Sequence, residues 1–128
     1  MDDLYLGWSG LEGAFGRLEE LVLAPLAAGQ TACFNAFNWT DNTKAGAGIV
    51  IEAGEWLVVE GCGCAPMAAQ RWIDALVWWD GPWQRRRAAV VARDGVASAL
   101  EIDRWEQATR QFFRRERTRE RANLRLER

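Results

Sequence analysis

The chain has 128 residues, three cysteines, no histidine and a formal net charge of −2. A chain of this length buries roughly two-thirds of its unfolded surface, so we expect a single domain that folds without a disulfide or a bound metal. The absence of histidine excludes, within this chain, serine or cysteine nucleophiles paired with histidine, histidine general bases and histidine metal ligands.

Charge is distributed unevenly along the sequence. Residues 1–60 hold two basic and nine acidic residues, a net charge of −7, whereas residues 61–128 hold fourteen arginines and nine acidic residues, a net charge of +5. Such a chain can bind copies of itself head to tail, or present two different faces to two partners.

The sequence indicates a cytoplasmic protein, or a virion protein if the source is a phage. No apolar run approaches the roughly 18 residues of a membrane span, and the first residues lack the basic start of a signal peptide. An odd number of cysteines is typical of a reducing compartment rather than of a disulfide framework. We therefore expect no contact with a membrane.

The first part of the chain predicts a helix followed by an edge strand. Ser9 is placed as the N-cap of a capping box. Apolar residues at helical spacing then predict a helix over residues 10–28, with Gly29 as its stop. The short aromatic run at 31–39 predicts a strand, and its two asparagines favour an edge position. Residues 40–46 are polar and predict a loop.

The middle of the chain predicts a β-hairpin and a second helix. β-Branched and aromatic runs at 49–51 and 56–59 flank a short turn with glycine at its centre, which is typical of paired antiparallel strands. Neither run alternates cleanly, so we expect both faces to be covered, one of them by a partner. Apolar positions at intervals of three and four predict a helix over residues 66–79.

The last part of the chain predicts a strand, a helix and a basic arm. Residues 88–92 are a candidate strand, and Ser98 can cap a helix whose apolar stripe extends to Phe113. Residues 114–128 carry seven arginines and three glutamates, a net charge of +4, with little apolar surface, so we expect them to project as a helix or to fray.

This order of elements indicates an α+β fold. We expect a small, mostly antiparallel sheet of about four strands with helices on one face, and a long arginine-rich helix at the C-terminus. Residues 1–113 would form one domain and residues 114–128 its helical arm. By element order alone the chain resembles small phage neck and tail proteins that form rings. That resemblance concerns architecture, and it implies a structural subunit that oligomerises.

Tryptophan and arginine are the residue types from which we predict the binding surface. The chain has eight tryptophans, and three of them crowd the end of the predicted second helix. Buried tryptophan and arginine dominate the binding energy of many protein interfaces. An enlarged aromatic core is the competing interpretation. The predicted protein-binding residues are Trp78, Trp79, Trp83, Arg114, Arg115, Arg117, Arg119 and Arg121.

The basic arm has three interpretations. Its neighbours four residues apart carry like charges, such as Arg115 with Arg119 and Glu116 with Glu120, and they destabilise a free helix. Docking on the acidic surface of a neighbouring subunit would relieve that repulsion, and we favour it. A solvated helix comes next. Binding to nucleic acid comes last, because the interleaved glutamates and the acidic chain repel phosphates.

Cys62 and Cys64 are the most reactive-looking pair in the sequence. Cys64 comes just before the start of the predicted second helix, and free N–H groups at a helix start can lower the pKa of a thiol. The spacing differs from that of common zinc and redox motifs, and no further metal ligand is evident. We therefore expect buried or incidental thiols and no bound metal, with a thiol redox enzyme as an alternative.

Together these features predict a non-enzymatic assembly or interaction protein without a cofactor. It would act as a subunit of a homo-oligomer or of a larger particle, with the tryptophans as an apolar anchor and the arm as an electrostatic contact. A second alternative is a small inhibitor or adaptor that binds a host protein through its acidic N-terminal half.

Overall fold

The computed structural model describes residues 1–44 and 46–127, and within them the chain forms two compact units, Met1–Ala65 and Pro66–Arg128. The α+β class is confirmed, since both units combine helix and strand. The single four-stranded sheet is wrong: the described strands form two separate two-stranded sheets. Ala45 of the predicted loop and Arg128 of the predicted arm lie outside the described residues. The division into a domain and an arm at residue 113 stays a prediction.

The first unit begins with a continuous helical run. It consists of α1 (Leu11–Leu18), a π-helical turn (Glu19–Leu23) and α2 (Ala24–Ala27). Apolar residues on one side are buried. The run ends at Gly29, which adopts a φ of +70°. The Gly29 N–H donates to Leu26 O at 3.0 Å and the Gln30 N–H to Pro25 O at 2.9 Å, so a Schellman motif confirms the predicted stop.

The predicted N-cap of this helix is wrong. Gly10, not Ser9, occupies the cap position, and no side chain caps the helix there. The Gly10 N–H donates to Gly7 O at 3.0 Å, which closes a tight turn immediately before the helix. A Cβ on residue 10 would lie 2.3 Å from the Leu6 nitrogen, so glycine is required and Ser9 is left outside the cap.

The sheet of the first unit pairs β1 (Ala32–Asn35) with β2 (Gly48–Ile51), antiparallel. The predicted hairpin is therefore wrong, because the partner of β2 is β1 and residues 56–59 belong to no strand. A backbone turn at Asn38 accounts for the pairing of β2 with β1 rather than with residues 56–59. The Asn38 backbone exchanges two hydrogen bonds with Thr43, of 2.8 and 3.1 Å, and these close the turn that brings β2 against β1.

In the second unit the predicted helix at 66–79 is wrong. A 3-10 helix (Met67–Trp72) is followed by β3 (Val77–Asp80). Ile73, with φ −109° and ψ 117°, is already extended and ends the helical turns. The valine and two tryptophans that open β3 favour extended backbone over helix, and β4 (Leu124–Glu127) provides the strand with a partner.

Three α-helices and a 3-10 turn connect β3 to β4. The predicted strand at 88–92 is wrong, because it lies within α3 (Trp83–Asp94). Pro82 sits at the N-cap of α3, where its carbonyl oxygen accepts from the Arg85 and Arg86 N–H groups at 3.0 and 3.2 Å. Alanine and arginine then favour helix over strand. A short 3-10 turn (Val96–Ser98) leads into α4 (Ala99–Glu116), which confirms the predicted final helix.

Charged groups join α3 to α4. The Glu106 carboxylate is largely buried and accepts two hydrogen bonds from the Arg86 guanidinium, of 3.0 and 3.1 Å, and one from Arg110 at 2.7 Å. Arg87 and Asp103 form a second bidentate pair nearer the surface, at 2.7 and 3.0 Å. The two helices are therefore held by planar charge pairs as well as by apolar packing.

The predicted arm neither projects nor frays over its described residues. Arg117, with a left-handed φ of 50°, separates α4 from a single helical turn, α5 (Thr118–Arg121). Asn123 then exchanges hydrogen bonds with Leu76: its N–H donates to Leu76 O and its Oδ1 accepts from the Leu76 N–H, both at 2.8 Å. The chain thereby returns alongside β3 and ends in β4.

Candidate protein-docking surface

The feature that stands out in the second unit is an exposed apolar face on the β3–β4 pair. The strands are parallel, with Val77 opposite Leu124 and Trp79 opposite Leu126, so these four side chains share one face. Their exposed fractions are 52, 51, 70 and 44 % respectively. We call these four residues the apolar ribbon face.

The opposite face of the ribbon is held against α4. Trp78 lies on that side, half-buried, and its ring meets the Phe113 ring edge to face with 4.7 Å between ring centroids. Its indole N–H is buried and has no hydrogen-bond partner among the described residues. Phe113 in turn contacts Phe112, whose side chain is in the core. The ribbon is thus fixed on one side and open on the other.

An open face is unusual for a parallel pair of strands. Parallel sheets occur almost only where both faces are covered, and an isolated two-stranded sheet is marginal in water. No further strand among the described residues borders either edge of this ribbon. The apolar ribbon face and the edges of the ribbon therefore have the features of a surface that another chain covers.

The predicted arginines are mostly engaged within their own unit. Arg119 pairs with Glu127 at 2.6 Å, and Arg115 pairs with Glu116 at 2.8 Å while its guanidinium lies over the Phe112 ring. Arg121 donates to Glu116 O at 3.1 Å and to Pro66 O at 3.2 Å. These contacts brace the returning C-terminal segment against α4 and the 3-10 helix.

Two predicted arginines remain available to a partner. Arg114 and Arg117 are exposed, and neither makes an ion pair with any residue in the described parts of the chain. Arg125, on β4 itself, uses its guanidinium on the carbonyl oxygens of α5, at 2.9 Å from Arg119 O, and neutralises no carboxylate. The second unit therefore keeps unneutralised positive charge, with Arg125 on β4 itself.

The three predicted tryptophans do not form one patch. Trp79 points outward, Trp78 packs inward, and Trp83 starts α3, where the Arg86 guanidinium lies 5.4 Å from its ring centroid. The prediction included Trp79 but missed Val77, Leu124 and Leu126. A sequence signal for two of them existed, because Leu-Arg-Leu-Glu at 124–127 alternates with the period of a strand.

A second exposed apolar segment lies in the first unit. Residues 55–60, which we call the Trp56 segment, follow β2 and belong to no helix or strand. Trp56 and Val58 are 83 and 88 % exposed, and Leu57 is exposed between them. The segment is anchored at its far end, where the Met1 amino group donates to Glu60 O at 2.9 Å.

Acidic groups lie within the Trp56 segment and just before it. Glu52, Glu55 and Glu60 are exposed, and none of their carboxylates makes a salt bridge within the described chain. The segment therefore combines strand-forming apolar residues with unneutralised negative charge, the reverse of the sign found beside β4.

The cysteines give little support to thiol chemistry. Cys33, Cys62 and Cys64 form no disulfide in the described chain; Cys33 is exposed, and Cys62 and Cys64 are half-buried. Burial raises the pKa of the Cys64 thiol, and the expected helix start is absent because the 3-10 helix begins only at Met67. The Tyr5 hydroxyl donates to Cys62 O at 2.6 Å, and this bond holds the turn at Cys62 in place. Burial raises the pKa of the Tyr5 hydroxyl. A raised thiol pKa lowers the thiolate fraction at neutral pH.

We expect iodoacetamide to alkylate Cys64 more slowly than Cys33 near pH 7.5, since the thiolate is the reactive form and a raised pKa lowers its fraction. The reason is burial of Cys64 and the raised pKa of its thiol, against the exposed side chain of Cys33. Peptide mass spectrometry over a time course measures both rates in one sample. Faster labelling of Cys64 would instead favour the redox alternative.

Glu116 joins the C-terminal end of α4 to the start of the 3-10 helix at Met67 in the second unit. Its carboxylate accepts from the Met67 N–H at 2.9 Å and from Arg115 at 2.8 Å, and these bonds, that of Met67 foremost, lower its pKa. A carboxyl whose pKa is lower in the folded state stabilises above its unfolded pKa and loses that contribution as the pH falls through the folded value.

We therefore expect Glu116→Gln to destabilise the fold by about 1 kcal/mol at pH 7, the usual value for a hydrogen bond of this kind. The difference from the unsubstituted chain should shrink toward zero as the pH falls to about 2. Urea unfolding at both pH values measures it. Glu120→Gln is the matched control, because the Glu120 side chain is exposed and makes no salt bridge within the described residues. An equal loss for both variants would contradict the assignment.

The described part of the chain contains neither a cluster of metal-ligating side chains nor a helix that could span a membrane. Residues 1–44 and 46–127 contain no group of three cysteine, aspartate or glutamate side chains placed to hold a metal ion. None of their helices has both the length and the apolar character that crossing a bilayer requires.

Comparisons with protein families, with curated proteins and with solved structures find no match. The residues of the chain itself are therefore the basis for its functional interpretation.

Proposed function

We propose that this chain is a non-enzymatic assembly protein whose copies bind one another through the apolar ribbon face. The observation that carries the proposal is the open face of a parallel strand pair, on which Trp79 and its three apolar neighbours are all exposed. A homo-oligomer needs no further partner to cover that face.

Charge supports contact between copies. The unit Met1–Ala65 carries a net charge of −7 and the residues from 66 onward carry +5. Opposite signs on two units of one chain favour contact between unlike units of neighbouring copies, and they disfavour contact between like units. Assembly should accordingly weaken as salt screens these charges.

The resemblance to phage neck and tail proteins is not needed for this proposal. It depends on a predicted order of elements that differs from the observed one, and it stays untested, as does the cytoplasmic or virion location. The alternative, an adaptor that binds a host protein through its acidic N-terminal half, also stays untested, and a protein that does not self-associate would favour it.

Hydrogen–deuterium exchange at two protein concentrations tests the proposal. We expect peptides covering β3 and β4 to exchange at least severalfold more slowly in concentrated than in dilute protein, because association covers them. The matched internal control is α3, which should exchange equally in both samples. Equal exchange of the β4 peptide at every concentration would contradict self-assembly through this face and would favour an external partner.

A further inference from the structure

We infer that the Trp56 segment of a second copy occupies the ribbon, adding beside β4 as a third strand. This inference rests on the proposed function and names the surface that completes it. Covering the exposed parts of four apolar side chains contributes modestly to binding, whereas association costs both copies their translational and rotational freedom. The apolar ribbon face alone therefore does not hold two copies together, and the interface needs further bonds.

The Trp56 segment has strand chemistry without a strand partner. Residues 56–59 are tryptophan, leucine and two valines, all residues that suit an extended and half-covered backbone except for leucine, which is neutral in this respect. Residues 54–59 make no backbone hydrogen bond with the rest of the described chain. A row of free N–H and C=O groups beside such side chains is a template for pairing with another strand.

The ribbon offers the matching edge. All four residues of β4 are exposed, and the described residues place β3 on one side of it and no strand on the other. Three paired strands with an apolar face are much more stable than two. An added strand would supply backbone hydrogen bonds along β4, while alternate side chains such as Trp56 and Val58 would extend the apolar ribbon face.

The charges of the two surfaces are complementary. The Trp56 segment and its approach carry the unneutralised carboxylates of Glu52, Glu55 and Glu60. Arg125 on β4 makes no salt bridge, and Arg114 and Arg117 of the same unit make none within the described chain. Pairing the segment with β4 brings opposite charges together. Pairing two segments, or two ribbons, would bring like charges together.

Such a contact joins two different surfaces, so each copy both donates a segment and receives one. Two copies can exchange segments reciprocally in a closed dimer, or each copy can bind a further neighbour and form a ring or an open filament. The inference therefore predicts an assembly that can be interrupted at either of two separate surfaces.

A mixing experiment with two variants tests this arrangement. The face variant is Trp79→Gln with Leu126→Gln, and the segment variant is Trp56→Gln with Val58→Gln. All four side chains are exposed, so both variants should keep the circular dichroism spectrum of the parent chain. Each variant alone should be monomeric by light scattering. An equimolar mixture should form a complex of two chains and nothing larger, because only one intact segment and one intact face remain.

Matched controls separate these effects from a general loss of apolar surface. Val50 and Val96 are as exposed as the altered residues but lie outside both surfaces, and Val50→Gln and Val96→Gln should assemble as the parent chain does.

A synthetic peptide of residues 52–60 provides a second test. Added in excess to the unaltered full-length protein, it should reduce the mass of the assembly measured by light scattering. The peptide test does not depend on the folding of any variant.

The outcomes distinguish the inference from the proposed function. If the face variant is monomeric while the segment variant assembles normally, the inference is overturned and the proposed function stands. If both variants are monomeric but their mixture forms no complex, or if the peptide leaves the mass unchanged, the pairing of segment with ribbon is overturned. If both variants assemble as the parent chain does, the inference and the proposed function fail together.

Discussion

Replacing Trp79 and Leu126 by glutamine should convert the assembled protein into a monomer. The two residues lie opposite each other on β3 and β4 and provide much of the exposed surface of the apolar ribbon face. A buried tryptophan at the centre of an interface typically accounts for about 2 kcal/mol or more, so losing it together with its neighbour should weaken association by at least about a hundredfold.

The folded unit itself should tolerate this change. Neither side chain packs in the core, which on this side of α4 is formed by Trp78, Phe112 and Phe113. Substitutions at exposed positions usually change stability by under about 0.5 kcal/mol. Sedimentation velocity of the variant beside Val96→Gln tests the claim. A variant that sediments with the parent chain would show that assembly, if present, uses another surface.

Replacing Glu106 by glutamine should destabilise the second unit by about 2 to 3 kcal/mol. The Glu106 carboxylate is largely buried and joins α4 to α3 through Arg86, while it also accepts a hydrogen bond from Arg110 of α4 itself; the three oxygen to nitrogen distances lie between 2.7 and 3.1 Å. Removing one member of a buried, hydrogen-bonded charge pair leaves its partners without compensation, which costs about 3 to 5 kcal/mol when burial is complete. The two guanidinium groups are partly exposed, and solvent screening lowers the expected loss.

Urea unfolding, followed by tryptophan fluorescence, measures this loss. Glu101→Gln is the matched control, because Glu101 forms an exposed pair with Arg104 on the same helix, at 2.9 Å, and exposed pairs contribute under about 1 kcal/mol. A similar midpoint for Glu106→Gln and Glu101→Gln would mean that the Glu106 carboxylate adds no measurable stability to the contact between α3 and α4.

The helices at the two ends of the chain could be predicted because their apolar residues repeat at helical spacing. The run that begins at Leu11 and the stripe from Ile102 to Phe112 both bury the residues that this spacing indicates. Gly29, with its left-handed φ, is a local stop signal that depends on no distant residue. Information of this kind lies within a short window of sequence.

The strand pairings could not be predicted from short windows. Residues 49–51 are flanked by two candidate partners, the run at 31–39 and the run at 56–59, and both have strand composition. The turn at Asn38 and Thr43 decides between them. Val77 and Leu124 are paired although 47 positions separate them, and no local pattern announces a parallel pairing over that distance.

The candidate site was predicted only in part for the same reason. Trp79 was identified from composition, since clustered tryptophans exceed what a small core uses, but a helix was expected where β3 lies. A helical Trp79 would have had different neighbours. Its apolar surroundings, Leu124 and Leu126, come from the segment that composition alone presented as a charged arm. The alternation of leucine with charged residues was the missed signal.

The mass of the unaltered protein in solution tests the central claim most directly. Light scattering coupled to size exclusion, over a range of protein concentrations and at low and high salt, should give a defined oligomer that dissociates as salt or dilution increases. Absorbance recorded in the same run shows whether nucleic acid accompanies the protein. A monomer at every concentration and at low salt would contradict the account, and the apolar ribbon face would then belong to the binding of a different protein.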